Sequence, residues 1–520
     1  MAGLYDLATT GDILTSTLRR FGERVAFKQD GRELTYRQTE DTLNRWVAVL
    51  HERGFRRGDG VGLLSPNCPE AWLAQVAPAL AGGRYTALHP LGSLDDHLHA
   101  CNEAELRFIF VDPVFAPRAA ELMEKAATVE SVFTFGPADI GEDIHNLAKG
   151  VIVTGRLDRG PNGPEDVAYL LYTGGTTGVP KAAMLPERAV ASLSFGTSLG
   201  WDFSEEMRYL AVAPISHAAG MPITPTLLRG GTVILQRRFD PAAWLKGVAE
   251  ERATVSLLVP TMIYALLDHP NLDSTDLSSL RTVIYGASPI APTRLAEAIE
   301  RVGSVWCQLY GQTESAGQGT SLWRHQHDAG DMHRLSSCGT PMPFTRVAIL
   351  DDENKPVGDG TAGEICMQGA SIMQGYFKQP ELTKSALSGG WLHTGDIGIR
   401  DEDGFFYIVD RKKDMIVSGG FNVFPREIED VLARHPSVSN CAVIGVPDDH
   451  WGEAVKALVV LRPGAHAEAA ELIALVREHK GPIYAPKSVD FVESLPMTPV
   501  GKADKKVLRA QHWAGHERKV

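Results

Sequence analysis

Four short segments of this chain gather the residue types that handle phosphates and carboxylates. The first runs Tyr169-Leu-Leu-Tyr-Thr173-Gly174-Gly175-Thr176-Thr177-Gly178-Val-Pro-Lys181-Ala182. An apolar run enters a loop of glycines and threonines and ends at a lysine, so backbone N–H groups, hydroxyls and one cation can converge on an anion. It is not a Walker P-loop: counted from Gly174, that motif needs glycine at Val179 and lysine at Pro180, and Pro180 has no N–H to donate. The second segment, Tyr310-Gly311-Gln312-Thr313-Glu314, offers a ring for a base, a hydroxyl for a phosphate and a carboxylate for a hard cation such as magnesium. In the third, Thr394-Gly395-Asp396, a loop aspartate can accept hydrogen bonds from two neighbouring ribose hydroxyls. The fourth, Pro496-Met-Thr-Pro-Val-Gly501-Lys502, puts a lysine on a glycine loop near the end of the chain. Taken singly, each also has an ordinary reading: a glycine-rich turn, an Asx turn, a solvated tail charge.

The elements around these segments alternate between helix and strand periodicity. Ile13, Leu14, Leu18 and Phe21 recur at helical spacing within residues 11–23, and Leu43, Trp46, Val47 and Leu50 do so within Thr35 to Arg53. Short apolar runs at Val61–Leu64, Phe108–Val111, Val151–Thr154 and Val233–Leu235 read as strands between helices. Interleaving of this kind predicts an α/β architecture. The texture changes near residue 400, where the polar turn Asp401–Gly404 precedes Phe405–Val409 and the charged cluster Asp410–Asp414 leads to Ser418-Gly-Gly420. Beyond it, a helix presenting Ile428, Val431 and Leu432, strands at Ala442–Val446 and Ala457–Leu461, and a helix at Glu468–Glu478 form a unit large enough to fold alone. The expected division is 1–410, of several α/β subdomains, and 411–520, a small mobile α+β domain.

Composition bounds the function. The chain has 520 residues, 44% hydrophobic and 22% charged, which excludes a disordered or fibrous protein. Lys and Arg number 51 against 64 Asp and Glu, a net charge of −13 that repels nucleic acids and anionic membranes. Any phosphate ligand must then be held by local geometry. The six cysteines are scattered singly without zinc spacing, predicting reduced thiols and a cytoplasmic protein. The N-terminus lacks the apolar core of a secretory signal, and the longest apolar stretch, Ala71 to Gly83, is short and interrupted by Gln75 and Pro78. No integral membrane segment is expected, and oligomeric state is not encoded legibly.

Together the four segments resemble the ANL superfamily of adenylate-forming enzymes, which comprises acyl-CoA synthetases, adenylation domains of peptide synthetases and luciferases. The likeness is to the acyl-CoA synthetase type and spans most of the chain. Further matches are Gly363-Glu-Ile365, Gly369, Gly375-Tyr376, Arg411–Ile416, Gly419-Gly-Phe-Asn422 and Pro425-Arg-Glu-Ile-Glu429. By that resemblance, Thr173, Gly174, Gly175, Thr176, Thr177, Gly178 and Lys181 hold the β- and γ-phosphates of ATP. Thr313 approaches the α-phosphate and Glu314 binds magnesium. Gly286, Ala287, Ser288 and Tyr310 form the adenine slot, Gly311 is a further nucleotide-binding residue, and Asp396 and Arg411 bind the ribose. Lys502 resembles the catalytic lysine of acyl-AMP formation, and His217 a position at the mouth of the acyl and thiol channels. Lys413 corresponds to the hinge about which the C-terminal domain swings, presenting Gly419 and Gly420 to the pantetheine of coenzyme A. Two departures stand out: Thr-Gly-Gly-Thr replaces the common Ser-Gly start of the loop, and Ala182 follows Lys181 where glycine is usual.

In this family the acid pocket is lined by segments that here are Val212–Thr226, Ile284–Ile290 and Gln308–Gly317, and the only charged residue among them is Glu314. The resemblance therefore implies an ATP-dependent carboxylic acid–CoA ligase for an uncharged fatty, aryl or cyclic acid. An amide synthetase that hands the acyl-adenylate to an amine keeps the same adenylation residues. A non-catalytic acyl-nucleotide binding protein is the reading from another class, and retention of Lys502 and Glu314 speaks against it.

Overall fold

The computed structural model describes residues 8–173, 181–411, 414–418, 421–448, 451–498 and 503–513. Among these, two large sheets and the helices between them build the N-terminal part. One sheet has eight strands in the order Gly375–Tyr376, Lys181–Pro186, Val167–Thr173, Arg84–Ala87, Gly60–Leu64, Leu106–Val111, Ser131–Thr134 and Glu142–Asp143. The other has seven, in the order Trp306–Leu309, Thr282–Gly286, Val255–Leu258, Arg208–Ala211, Thr232–Leu235, Val25–Gln29 and Arg32–Thr35. Most neighbours are parallel, as βαβ crossovers require.

Both expected N-terminal helices form. Thr10–Arg20 and Tyr36–Glu52 each start with a capping box, in which Thr9 pairs with Asp12 and Thr35 with Gln38. The second helix sends Trp46 into the core, fully buried and stacked on Phe110 with ring centroids 5.3 Å apart. The apolar stretch near residue 71 is a core helix, Pro69–Ala81, with every residue buried. Its Trp72 meets Phe27 of the seven-stranded sheet at 5.1 Å, so one core joins the two sheets. No helix among the described residues is long and apolar enough to cross a membrane.

One sequence expectation is corrected. Val151–Thr154 is not a strand. Helix Ile144–Gly150 ends there, the Val151 carbonyl accepts a hydrogen bond from Arg45, and Ile152 is 90% exposed. The run is a connector tied down by an arginine.

Downstream, an antiparallel sheet of Thr345–Leu350, Gly363–Gly369, Leu392–Arg400 and Phe406–Arg411 leads to a smaller C-terminal unit. There Val438–Asp448 and Gly452–Leu461 form a long antiparallel pair, covered by helices Pro425–Leu432 and Ala469–Lys480, and Ile428, Val431, Leu432, Leu472 and Val476 form its core. The fold is the α/β architecture read from the sequence, with a large N-terminal part and a smaller C-terminal one. Trp46→Ala is expected to cost about 3–5 kcal/mol, measured as a drop in the urea midpoint; an unchanged midpoint would remove Trp46 from the core that joins the sheets.

Candidate active site

Strand Val167–Thr173 runs parallel to its neighbour Arg84–Ala87 and antiparallel to Lys181–Pro186, with Thr173 directly opposite Lys181. The glycine-threonine loop between them, including Gly174, Gly175, Thr176, Thr177 and Gly178, lies outside the described residues. Its two ends are therefore fixed by a hairpin register. In the other sheet, Thr282–Gly286 and Trp306–Leu309 are parallel and paired up to Gly286 and Leu309, so Ala287, Ser288 and the Tyr310–Glu314 segment leave the same carboxyl edge. Ligands in open α/β sheets bind at that edge.

Close packing dictates the glycines there. A Cβ on Gly286 would come within 2.2 Å of the Leu309 carbonyl oxygen, and one on Gly311 within 2.2 Å of the Gly317 oxygen. Ala287 carries a φ of +63°, a left-handed conformation costly for alanine and the kind of strain that collects at functional turns. Beneath this turn Tyr285 hydrogen-bonds His327 Nε2 at 2.9 Å, and the His327 Nδ1 contacts the Trp323 carbonyl at 2.8 Å. Gln312, Thr313–Ser315 as a single 3-10 turn, and Ala316 at φ +52° wind the next segment tightly, with Gly317 N–H donating to the Gln312 carbonyl at 2.7 Å.

That turn carries Glu314 to Thr173, where the glycine-threonine loop starts. Thr173 Oγ1 lies 3.4 Å from Glu314 Oε1, and the Tyr376 hydroxyl donates to the same oxygen at 2.8 Å. Lys181 Nζ sits 5.1 Å from the centre of the Tyr376 ring. Burial and the adjacent carboxylate push the Tyr376 phenol above its usual pKa, so it stays a donor. Thr173, Lys181, Glu314 and Tyr376 thus converge from three chain segments. Gly375-Tyr376 was visible as a motif; its contact with Glu314 was not.

A second constellation holds Asp396. The Tyr310 hydroxyl donates to Asp396 Oδ2 at 2.8 Å and Gln312 Nε2 at 3.0 Å, while Asp396 is 4% exposed. Glu364 fixes the loop from behind: Gly395 N–H donates to its Oε1 at 2.8 Å, and His393 Nδ1 is 3.2 Å from its Oε2. Arg411 pairs in backbone register opposite Asp396. Tyr310 is itself only 8% exposed, and its ring belongs to the core that contains Ile365 and Met367.

His217 stands apart from both, at the start of a short turn Ala218–Gly220. It is exposed by area, yet surrounding protein pushes its pKa down to about 4, with His89 adding to the shift. Asn67, 3% exposed, clamps its loop: Nδ2 donates to Ala213 O at 2.8 Å and Gln236 O at 3.1 Å, and Oδ1 accepts from Ile215 N–H at 2.9 Å. Nothing local in Ser65-Pro-Asn67 signals that role. Lys413, Gly419, Gly420 and Lys502 lie outside the described residues; beside Lys502, Met497 and Ala503 bridge as antiparallel partners. Among the described residues there is no cluster of three or more metal-ligating side chains.

The chain matches the family described as AMP-binding enzyme over residues 14–377 and the AMP-binding enzyme C-terminal domain over 427–502. It is 44% identical to the medium/long-chain-fatty-acid–CoA ligase FadD8 of Mycobacterium tuberculosis, over 98% of this chain and 91% of that protein. It is 38% identical to a feruloyl-CoA synthase of an Amycolatopsis species, over 93% of this chain and 95% of that one. The amide bond synthetase McbA from Marinactinospora thermotolerans superposes with a TM-score of 0.87 at 35% identity, over 96% of this chain and 99% of that one.

Two outcomes are expected from this geometry. Asn67→Ala leaves buried carbonyl and N–H groups unpaired and should cost about 1–3 kcal/mol, measured as reduced urea resistance; an Asn67→Ala protein as stable as wild type removes the clamp. His327 has its pKa pushed down to about 4 by burial, with nearby His325 opposing its charge as well. The unfolded chain binds that proton below about 6.5, so stability is complete above pH 6.5 and falls as pH drops towards 4, by up to about 3 kcal/mol. His327→Gln should flatten that slope; a slope unchanged in the variant contradicts the assignment.

Proposed function

The chain belongs to the family of AMP-binding enzymes, and from that premise we propose that it is an ATP-dependent carboxylic acid–CoA ligase working through an acyl-AMP intermediate. The observation that carries this reading is the meeting of Thr173 and Tyr376 on one oxygen of Glu314, at the place where the phosphate loop starts. In the first half-reaction a carboxylate oxygen attacks the α-phosphorus, the bond to the β-phosphate oxygen breaks, and pyrophosphate leaves. The attacking carboxylate is already anionic and needs no general base, only alignment and charge compensation. Lys181 and the loop from Thr173 to Gly178 would cradle the β- and γ-phosphates, Thr313 would reach the α-phosphate, and Lys502 would cross from the C-terminal domain to neutralise the developing charge. Asp396, held by Tyr310 and Gln312, presents a carboxylate to the ribose together with Arg411. Gly286, Ala287, Ser288 and Gly311 leave room for the base beside Tyr310.

Half-buried carboxylate and hydroxyl oxygens suit magnesium, a hard cation that keeps several waters and shares its ligands with substrate phosphates. Glu314, with Thr173 beside it, would hold the ion, which when bound supplies charge neutralisation to the phosphates.

In the second half-reaction the thiol of coenzyme A attacks the acyl carbon. We place the division between the domains at residues 410 and 411 and the hinge at Lys413, so that rotation withdraws Lys502 and brings Gly419 and Gly420 alongside the pantetheine. His217 stands where thiol and acyl-adenylate meet. The acid we assign is uncharged and apolar: Met221 packs against Gly317 just past the Thr313 turn, where a Cβ would come within 2.9 Å of the Met221 methyl carbon. The fatty-acid and feruloyl names of the relatives support an acid of that class. Six cysteines outside any disulfide support residence in the reducing cytoplasm.

Acid-dependent pyrophosphate release across a carboxylic acid panel, with coenzyme A or an amine as acceptor, tests the function. Thioester from an apolar acid is expected; product only with the amine overturns the ligase reading in favour of an amide synthetase, and no release with any acid favours a binding protein. Lys502→Ala should slow adenylation about a hundredfold or more while sparing thioester formation from supplied acyl-adenylate. Equal loss in both steps contradicts the swinging domain.

A further inference from the structure

His89 follows strand Arg84–Ala87 at the carboxyl edge of the eight-stranded sheet. Its ring lies edge-on to that of His217, with centroids 5.0 Å apart and planes at 75°. The segment is rigidly held. Arg118 donates from Nη1 to His97 Nδ1 at 3.0 Å and to the Gly92 carbonyl at 3.1 Å. A donor at Nδ1 leaves the His97 proton on Nε2, which donates to the His89 carbonyl at 2.8 Å. Gly92 makes that contact possible, because a Cβ there would fall 2.6 Å from His97 Nε2 and 3.0 Å from the His89 oxygen. His97 is 3% exposed, so this brace lies inside the protein.

The same reasoning fixes the tautomer of His89. Leu91 N–H donates to His89 Nδ1 at 3.1 Å, so the proton sits on Nε2, a buried nitrogen with no hydrogen-bond partner among the described residues. Buried polar groups are nearly always paired, and one left open beside another imidazole asks for a reason. Ser216 Oγ, 2.9 Å from His217 Nδ1, gives that ring a second contact.

We propose that His89 is a positioning residue for thioester formation, its braced ring holding His217 in one orientation and uncharged where thiol and acyl-adenylate meet. The inference rests on the role given to His217 above. In the step concerned the C–S bond forms as the bond from the acyl carbon to the phosphate oxygen breaks, and AMP leaves with that electron pair. The thiol hydrogen-bonds to the unprotonated nitrogen of His217 and releases its proton through it to solvent. A charged His217 has no lone pair to offer and cannot serve. The balance of groups favours neutrality: burial lowers the pKa of His89, His97 and His217, His97 opposes charge on His89 and His89 on His217, and at His97 burial and Arg118 outweigh the opposite pull of the His89 carbonyl and Asp96.

The test uses the full chain with His89→Ala, the near-isosteric His89→Asn, and His217→Ala. Thioester formation from supplied acyl-adenylate and coenzyme A is measured from about pH 5.5 to 8, with acid-dependent pyrophosphate release as the control for an intact fold. Both His89 variants are expected to keep pyrophosphate release within about twofold and to lose thioester formation about tenfold or more. The ratio of variant to wild-type rate should fall further below about pH 6.5, as His217 without the opposing His89 ring takes up a proton more readily. The double variant with His217→Ala should be no slower than His217→Ala alone. Wild-type thioester rates in both His89 variants, a pH-independent ratio, or parallel loss of pyrophosphate release overturns the proposal. Intact thioester formation in His217→Ala instead removes the role of His217 on which the proposal stands.

Discussion

The molecule is organised around one carboxylate. Glu314 leaves the carboxyl edge of the seven-stranded sheet, and its Oε1 meets Thr173 and Tyr376, which belong to the eight-stranded sheet. A half-buried carboxylate loses solvation, and hydroxyl donors compensate it best when they are fixed in place. Here the fixing is structural: Thr173 ends a strand whose hairpin register is set opposite Lys181, and Tyr376 pairs with Ala183 one strand further on. The two separately wound sheets thereby meet at the junction where the proposed reading brings phosphates, a cation and a carboxylate together.

The surrounding geometry serves that junction. Glycines stand at 286 and 311 because neighbouring backbone leaves no room for a Cβ, and Ala287 accepts a strained φ at the end of its strand. Behind Asp396, Tyr310 and Gln312 hold the carboxylate and Glu364 holds the loop. Each of these side chains is thus set by hydrogen bonds from neighbouring groups that lock its rotamer. The same division of labour recurs at His217, where Asn67 sets the backbone and His89 the ring.

How much of this could be read beforehand depended on sequence distance. The glycine-threonine loop, Tyr310–Glu314 and Thr394–Asp396 are contiguous runs whose residue types state their chemistry, and the helices carrying Leu43 and Trp46 or Ile428 and Val431 announce themselves by periodicity. Tyr376 meeting Glu314, Asn67 meeting Ala213 and His89 meeting His217 are pairings created by topology, and no local pattern encodes them. Glu364 sat inside the quoted Gly363-Glu-Ile365 run without a role, because only the fold brings Gly395 beneath it. The apolar run at Val151–Thr154 misled for the converse reason: strand-like composition does not by itself bring a pairing partner, and here the run is a connector held by Arg45.

The central claim is that Glu314 joins the phosphate loop to the magnesium of the nucleotide. Its most direct test is the magnesium dependence of acid-driven pyrophosphate release in wild type and Glu314→Gln, an exchange that keeps shape and hydrogen bonding while removing charge. The account predicts that the variant needs about tenfold or more magnesium to reach half its maximal rate. An unchanged magnesium requirement at an unchanged maximal rate would contradict it.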